Sequence, residues 1–393
     1  MRTNLTLNSK PGVIIIEGHV QGLSNTRTLG EAGIPVIVID KDNCLARYSK
    51  YCHNFFYCPN YTDPDFVNFL IELAENHNLQ DWILLASNDH AVISISTNRP
   101  ILEKYYKIIT PGIEIIENIY DKSKLLRVAQ ISNVPIPKTY YFFDAYDFPA
   151  KIKYPVLTKG RHGLSFYKST GKKVFLSNNL SELRAHLKTI EKTYDIGETF
   201  TQEYIPYDGS NKTLSFIAFC IKGEIKTYWV GEKVREHPIR FGTATLARSI
   251  ECDVLFEPSS RLLKALNYTG VCEIEYLKDP RDNNYKLIEI NARTWLWVGL
   301  SKACGVDFTL MIYNYLNHLP IDYPNKYEVG VNWVNYVTDS VFSLQAIIKR
   351  QLTIKQYIND FKGRAVNAIF SRQDILPGIM FFFLSIYIAI KRK

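Results

Sequence analysis

The stretch Leu287-Ile288-Glu289-Ile290-Asn291-Ala292-Arg293 alternates apolar and polar residues, which commits it to an extended strand with two unlike faces. Period-two alternation puts Glu289, Asn291 and Arg293 on one face beside Leu287, and turns Ile288 and Ile290 into a core. A carboxylate, a carboxamide and a guanidinium in one row suit a divalent cation and a phosphate together. Mg2+ takes oxygen ligands and commonly shares them with substrate phosphates, and arginine supplies a permanent charge that fits phosphate. Upstream lies a second acidic segment, Cys272-Glu273-Ile274-Glu275-Tyr276, connected through the turn-forming run Asp279-Pro280-Arg281-Asp282-Asn283-Asn284. The two predict an antiparallel hairpin with a carboxylate on each arm. A solvated sheet face would carry the same pattern, so the hairpin alone does not decide its use.

The beginning of the chain predicts a different architecture. Val13-Ile14-Ile15-Ile16 and Val36-Ile37-Val38-Ile39-Asp40 are runs of buried-strand type, with Gly18 and Gly22 after the first and Gly33-Ile34-Pro35 before the second. Such runs on either side of a helix-length segment form a βαβ unit of an open parallel sheet. Gly18 and Gly22 fall short of the dinucleotide fingerprint, which argues against an NAD site. A third run, Trp82-Ile83-Leu84-Leu85-Ala86, ends in Ser87-Asn88-Asp89. Ligands of open α/β sheets lie beyond the carboxyl ends of the strands, so Ser87, Asp89 and the loop from Gly18 to Asn25 are candidates for substrate contact. Helix capping by Ser87 or Asp89 is the plainer reading.

Four segments lie between these ends. Asp121-Lys122-Ser123-Lys124-Leu125-Leu126-Arg127 opens a helix whose apolar stripe is Leu125, Leu126 and Ala129. Tyr154-Pro155-Val156-Leu157-Thr158-Lys159 is a short strand ending in a lysine, followed by Gly160-Arg161-His162-Gly163-Leu164-Ser165. A glycine-bearing loop after a strand brings backbone N–H groups close to phosphates, and Lys159 and Arg161 add charge, although a surface turn has the same composition. A helix over 181–194, with Ser181 as N-cap, should follow. Phe200-Thr201-Gln202-Glu203-Tyr204-Ile205-Pro206-Tyr207-Asp208 reads as a strand running into a turn. The segment from Gly231 to Thr243 is dense in cations. Period two places Lys233 and Arg235 on one face there, with His237 and Arg240 in a loop, and Arg235 is the candidate phosphate or acyl-phosphate contact.

In order and kind these motifs resemble the ATP-grasp superfamily, and within it the D-aspartate ligase-like carboxylate–amine ligases, over residues 12–320. Residues 321–393 resemble the tail of that subfamily. The resemblance implies an α/β and α+β architecture. A Rossmann-like pre-ATP-grasp domain (1–120) would precede a two-lobed ATP-grasp domain, with a small lobe (121–198) and a large lobe holding the nucleotide and metal sites (199–320). A C-terminal helical region (321–393) would close the chain. ATP and Mg2+ are implied, with Mn2+ as a substitute. By resemblance Glu275, Glu289 and Asn291 hold the metal, and Lys122 and Lys159 are the two phosphate-contacting lysines. Gly160, Arg161 and Gly163 cover the phosphates. Glu203 accepts from the adenine amino group, Tyr204 and Ile205 form the hinge, and Asp208 reaches the ribose. Arg293, with Arg235, stabilises an acyl phosphate and its tetrahedral adduct. Trp295 and Trp297 either wall an acceptor pocket or pack in the core. The implied reaction joins a small-molecule carboxylate to an amine with release of ADP and phosphate. A biotin-carboxylase-like activation of bicarbonate and a non-catalytic ATP-binding switch are the alternatives.

Composition narrows the partners. With 393 residues and 46% hydrophobic content, the chain can bury the cores of two or three domains. Its net charge of +8 comes without a long block of like charges, which points to a small polyanion and away from nucleic acid. Seven cysteines without Cys-x-x-Cys and eight scattered histidines indicate neither zinc nor a disulfide framework, and suggest a cytoplasmic setting. Leu376 to Ile390 carries no charge and precedes Lys391-Arg392-Lys393. As a helix it would span about 22 Å against a bilayer core of about 30 Å. Packing on the protein is therefore expected, with peripheral contact at the inner membrane face through 376–393 and a tilted span as the alternatives. Nothing in the sequence sets an oligomeric state.

Overall fold

The computed structural model describes residues 11–142, 144, 151–237 and 242–391. Strands β1 (Val13–Ile16), β2 (Val36–Asp40), β3 (Asn54–Tyr57), β4 (Trp82–Ala86) and β5 (Tyr106–Ile108) form a parallel sheet in the order β3-β2-β1-β4-β5. Helices α1 (Val20–Glu31), α2 (Asp65–His77), α3 (Asp89–Thr97), α4 (Arg99–Leu102) and α5 (Ile113–Tyr120) connect or follow these strands. β1, β2 and β4 are buried at every residue, as their uninterrupted apolar runs require. β3, an edge strand of aromatic residues that are only half-buried or exposed, has no such run and was not anticipated.

Helix α6 (Lys122–Ile131) starts where expected, capped by Asp121, whose side chain accepts from the Ser123 and Lys124 amides. β6 (Thr139–Tyr140), β7 (Val156–Gly160), β8 (Phe175–Ser177) and β9 (Thr199–Glu203) form an antiparallel sheet in the order β6-β9-β7-β8, carrying α7 (Gly163–Thr170) and α8 (Leu180–Glu191). The expected boundary at 198/199 is displaced: β9 pairs with β7 and β6 and so belongs to the small lobe, whereas α6 packs on α5. The cap of α8 is Asn179, which accepts from the Glu182 amide, so Ser181 lies inside the helix instead of capping it.

The large sheet is built from β10 (Thr213–Ile221), β11 (Glu224–His237), β12 (Thr243–Ser249), β13 (Gly270–Lys278) and β14 (Tyr285–Asn291), with α9 (Phe256–Ala265), α10 (Val298–Ala303) and α11 (Phe308–Leu316). Alternate residues of β10 serve two cores: Phe216 and Ala218 pack with Leu262 and Leu263 of α9, while Ile217 and Phe219 pack with Phe308 and Ile312 of α11. The tail extends this sheet. β15 (Asn332–Val334) and β16 (Ala365–Asn367) complete the order β14-β13-β10-β11-β12-β15-β16, flanked by α12 (Tyr336–Ile348), α13 (Ile354–Asp360) and α14 (Leu376–Lys391). Trp333, within the region expected to be helical, is a buried strand residue paired with Ala247.

A buried polar latch joins the first domain to the large lobe. Asn25 of α1 donates to Thr294 Oγ1 at 2.9 Å and accepts from Thr309 Oγ1 at 2.8 Å. Asn25 is thereby satisfied inside the protein, which removes it from the candidate substrate contacts.

Candidate active site

The expected hairpin is β13–β14. Glu273 lies opposite Asn291 and Glu275 opposite Glu289, so three carboxylates and a carboxamide crowd one face. A bulge between Glu275 and Tyr276 shifts the register so that Leu287 faces Tyr276. Leu287 is consequently buried with Ile290 and Ala292 in the opposite core, not beside Glu289, and Ile288 is the half-buried residue. Glu273 escaped the sequence reading although period-two spacing from Glu275 would have found it.

Lysines face this acidic row from three directions. Lys233 of β11 bonds Glu275 Oε1 at 2.7 Å, and Lys122, the first residue of α6, bonds Glu289 Oε2 at 3.0 Å. Lys159, on β7 of the small lobe, has no hydrogen-bond or ion-pair partner among the described residues. Burial, aided by the Lys122 charge, pushes the Lys159 ammonium down to about 8, with Glu289 opposing the fall. Burial and the neighbouring Glu275 raise Glu273 to about 7, against the pull of Lys233. Glu289 moves the other way, to about 2, because Lys122 outweighs its burial. Burial likewise raises Glu275, opposed by Lys233.

The donor set Glu273, Glu275, Glu289 and Asn291 is all oxygen, which fits Mg2+ and not a thiophilic metal. As they stand, no three His, Cys, Asp or Glu side chains among the described residues converge on one ion position. Lys122 and Lys233 hold two of the carboxylates instead.

Several residues proposed from the sequence are engaged elsewhere. Arg161 pairs with the cap residue Asp121 and bonds Glu198 at 2.9 Å, tying the small lobe to α6 and not reaching for a phosphate. Gly160 makes room for helix α7: a Cβ there would stand 2.3 Å from Phe166 Cβ. Gly163 opens α7 beside Lys122, whose Cε lies 3.8 Å from where its Cβ would be. Glu203 is buried and accepts from Tyr140 at 3.1 Å and from Arg281 at 3.3 Å, and the Tyr204 amide already donates to Pro155 O at 2.9 Å. Ile205 is buried beside them. Asp208 is exposed and accepts from Ser210 and Asn211 within its own turn, the local role that turn aspartates commonly play. Arg235 departs most: it bonds Asp339 at 2.8 and 2.7 Å and Asp360 at 2.8 Å, and so anchors the tail helices. A register shift after Lys233 separates it from the acidic row. His237 ends β11 and stacks on Phe342, while Arg240 lies outside the described residues. Trp295 and Trp297 are fully buried against Trp229 and belong to the core.

Arg293 reaches the first domain. It pairs with Asp89 through two nitrogens and bonds Asn291 Oδ1 at 3.4 Å, which links the acidic row to the carboxyl end of β4. The cap of α3 is Asn88, so Asp89 is free for this pairing. Close by, Glu17 follows β1 in a left-handed conformation (φ 72°), rare for a residue with a side chain. Burial, then Asp40, raises its carboxyl to about 7, with Arg293 opposing. Gln21 donates to Ser87 O at 2.9 Å, and Gln21 Oε1 and Ser87 Oγ are buried without a partner among the described residues. No composition or spacing signal marked Glu17, and period two set Lys233 on a face with Arg235 without showing its carboxylate partner, because tertiary contacts alone bring them here.

The chain is similar to several known proteins. The family model described as "Carbamoyl-phosphate synthase L chain, ATP binding domain" matches residues 234–313. D-aspartate ligase of Enterococcus faecium is 24% identical over 264 residues, which cover 63% of this chain and 62% of that protein. Among solved structures, N5-carboxyaminoimidazole synthetase from Staphylococcus aureus superposes with a TM-score of 0.63 at 17% identity, covering 82% of this chain and 81% of that one. The biotin carboxylase–β-γ-ATP complex from Campylobacter jejuni gives 0.64 at 18% identity over 82% and 74% of the two chains.

Proposed function

We propose that this chain, which matches an ATP-binding domain model over residues 234–313 and shares the fold of ATP-grasp enzymes, is a Mg2+-dependent ligase that uses ATP to join a carboxylate to an amine. Lys159 carries the proposal: an unpartnered ammonium, depressed to about 8 and set beside Lys122, opposes a row of three carboxylates. Two cations facing each other call for a polyanion, and the carboxylate row calls for a divalent cation.

In this reading Lys122 and Lys159 neutralise the phosphates, and Glu275, Glu289 and Asn291 hold Mg2+ with Glu273 behind them. A Mg2+ held by these residues would supply charge neutralisation to the phosphates. The substrate carboxylate attacks the γ-phosphate of ATP, ADP leaves, and the amine then displaces phosphate from the acyl phosphate. Arg293 faces the carboxyl carbon, stabilising the acyl phosphate and its tetrahedral adduct, and Asp89 fixes its plane. Glu17 takes the amine end, where a carboxyl titrating near 7 can accept the proton released on attack. The protein supplies position and charge, and no covalent nucleophile is required.

The test is ADP release from MgATP with a panel of carboxylic acids, each with and without amines. Turnover that requires one acid and one amine supports the ligase. ADP release with bicarbonate alone would replace it by the bicarbonate reading, and ATP binding without ADP release in any mixture by the switch.

A further inference from the structure

The charge of the chain is concentrated at one end. Residues 336–393 hold nine Lys and Arg against three Asp, a net six of the total +8. All three aspartates are consumed internally: Asp339 and Asp360 by Arg235, and Asp374 by Arg27. Lys349, Arg350, Lys355, Lys362 and Arg372 are exposed and have no ion-pair partner among the described residues.

The same helices leave apolar side chains uncovered in register. On α12, Val341, Leu344 and Ile348 follow helical spacing, with Leu344 59% and Ile348 72% exposed. α13 adds Ile354 and Ile358 at i and i+4, 64% and 63% exposed. Helix α14 packs one side, Pro377, Gly378 and Leu384, on the protein. Its other side presents Leu376, Ile379, Phe382 and Phe383. Over residues 376–384 this apolar helix is covered on one side only. It has 16 residues and so spans about 24 Å, and among the described residues no helix is long and apolar enough to cross a bilayer.

We propose that the outer faces of α12, α13 and α14 form a docking surface for an anionic lipid bilayer. Apolar side chains flanked by unneutralised cations are the composition of an interfacial surface: the stripe enters the acyl boundary while lysine and arginine meet lipid phosphates. A second copy of this chain is the poorer occupant, because it would bring its own unpaired Lys349, Arg350, Lys355, Lys362 and Arg372 to this surface.

The experiment is co-sedimentation of the full chain with vesicles of phosphatidylcholine alone and with one-quarter phosphatidylglycerol. Binding should require the anionic lipid and fall steeply between 50 mM and 500 mM salt. The triple variant Leu344→Ser, Ile348→Ser, Ile358→Ser and the pair Phe382→Ser, Phe383→Ser should each weaken binding at least about tenfold, with melting temperature and ATP affinity unchanged. Reversing Lys349, Arg350 and Lys355 to Glu should weaken it at least about hundredfold. No binding to anionic vesicles, or equal binding by the variants, overturns the proposal. So does a dimer in analytical ultracentrifugation that the serine variants dissolve.

Discussion

Lys233 and Arg235 stand two residues apart on β11, yet they serve ionic clusters of opposite character. Arg235 meets two carboxylates with three nitrogens, Thr245 donates to Asp339 at 2.8 Å, and the rings of Tyr357 and Phe361 lie 4.8 and 4.7 Å from the guanidinium carbon. Each group there has its partner, and the result is a clamp that fastens α12 and α13 to the sheet. Around Lys233 the groups are set against one another: Glu273 is raised to about 7, Glu289 lowered to about 2 and Lys159 lowered to about 8. A closed ionic network specifies structure, whereas one whose members are displaced from their ordinary ionisation holds free energy that a ligand can release. Charge density in the sequence could not separate the two, since both draw on one cationic strand.

Breaking the open cluster should give the larger effect on chemistry. Glu289→Gln removes a charge without changing volume, and ADP release should fall at least about a thousandfold in a chain that still folds, with some loss of melting temperature because Lys122 loses its charged partner. Wild-type turnover would take Glu289 out of the metal site. Breaking the closed cluster should strike stability instead. Arg235→Ala leaves Asp339, whose side chain is 1% exposed, without its counter-charge, and urea unfolding should show a loss of about 3–5 kcal/mol. The ATP dissociation constant of the folded fraction should not change, and a large change would return Arg235 to the phosphates.

A pH series sharpens the comparison more gently. Lys159 titrates near 8 in the free protein, and phosphate favours its charged form, so ATP affinity should fall up to about tenfold from pH 7 to pH 9. A flat profile would show that this ammonium does not meet nucleotide. The smallest effect belongs to Asp208, whose oxygens are taken by its own turn. Asp208→Asn should change ATP affinity less than about threefold in calorimetry, and a larger loss would restore its ribose contact.

Three strands of the parallel sheet and the carboxylate hairpin were legible, the first from continuous apolar runs and the second from alternation. β1, β2 and β4 are continuous apolar runs, and Glu275, Glu289 and Asn291 sit on strands of alternating pattern. What escaped depends on contacts between distant segments. The bulge beside Glu275 reversed Leu287, and the pairing of β9 with β7 moved a lobe boundary. Arg161 and Arg235 had the right charge in the right neighbourhood, but nearby aspartates claimed them, and one-dimensional spacing does not reveal such a competitor. Lys159 was legible as the lysine ending a strand, though not as the group left without a partner.

That unpartnered ammonium is the central claim, and Lys159→Met tests it most directly when ATP affinity and thermal stability are measured on the same sample. The folded-state pKa of Lys159 lies below its unfolded value, so its charge destabilises the fold below about pH 8, and the penalty fades as pH rises towards the unfolded value. At pH 7 the account predicts ATP binding weaker by about ten- to hundredfold together with a higher melting temperature in the absence of nucleotide. Unchanged ATP affinity, or a melting temperature that falls, would contradict it.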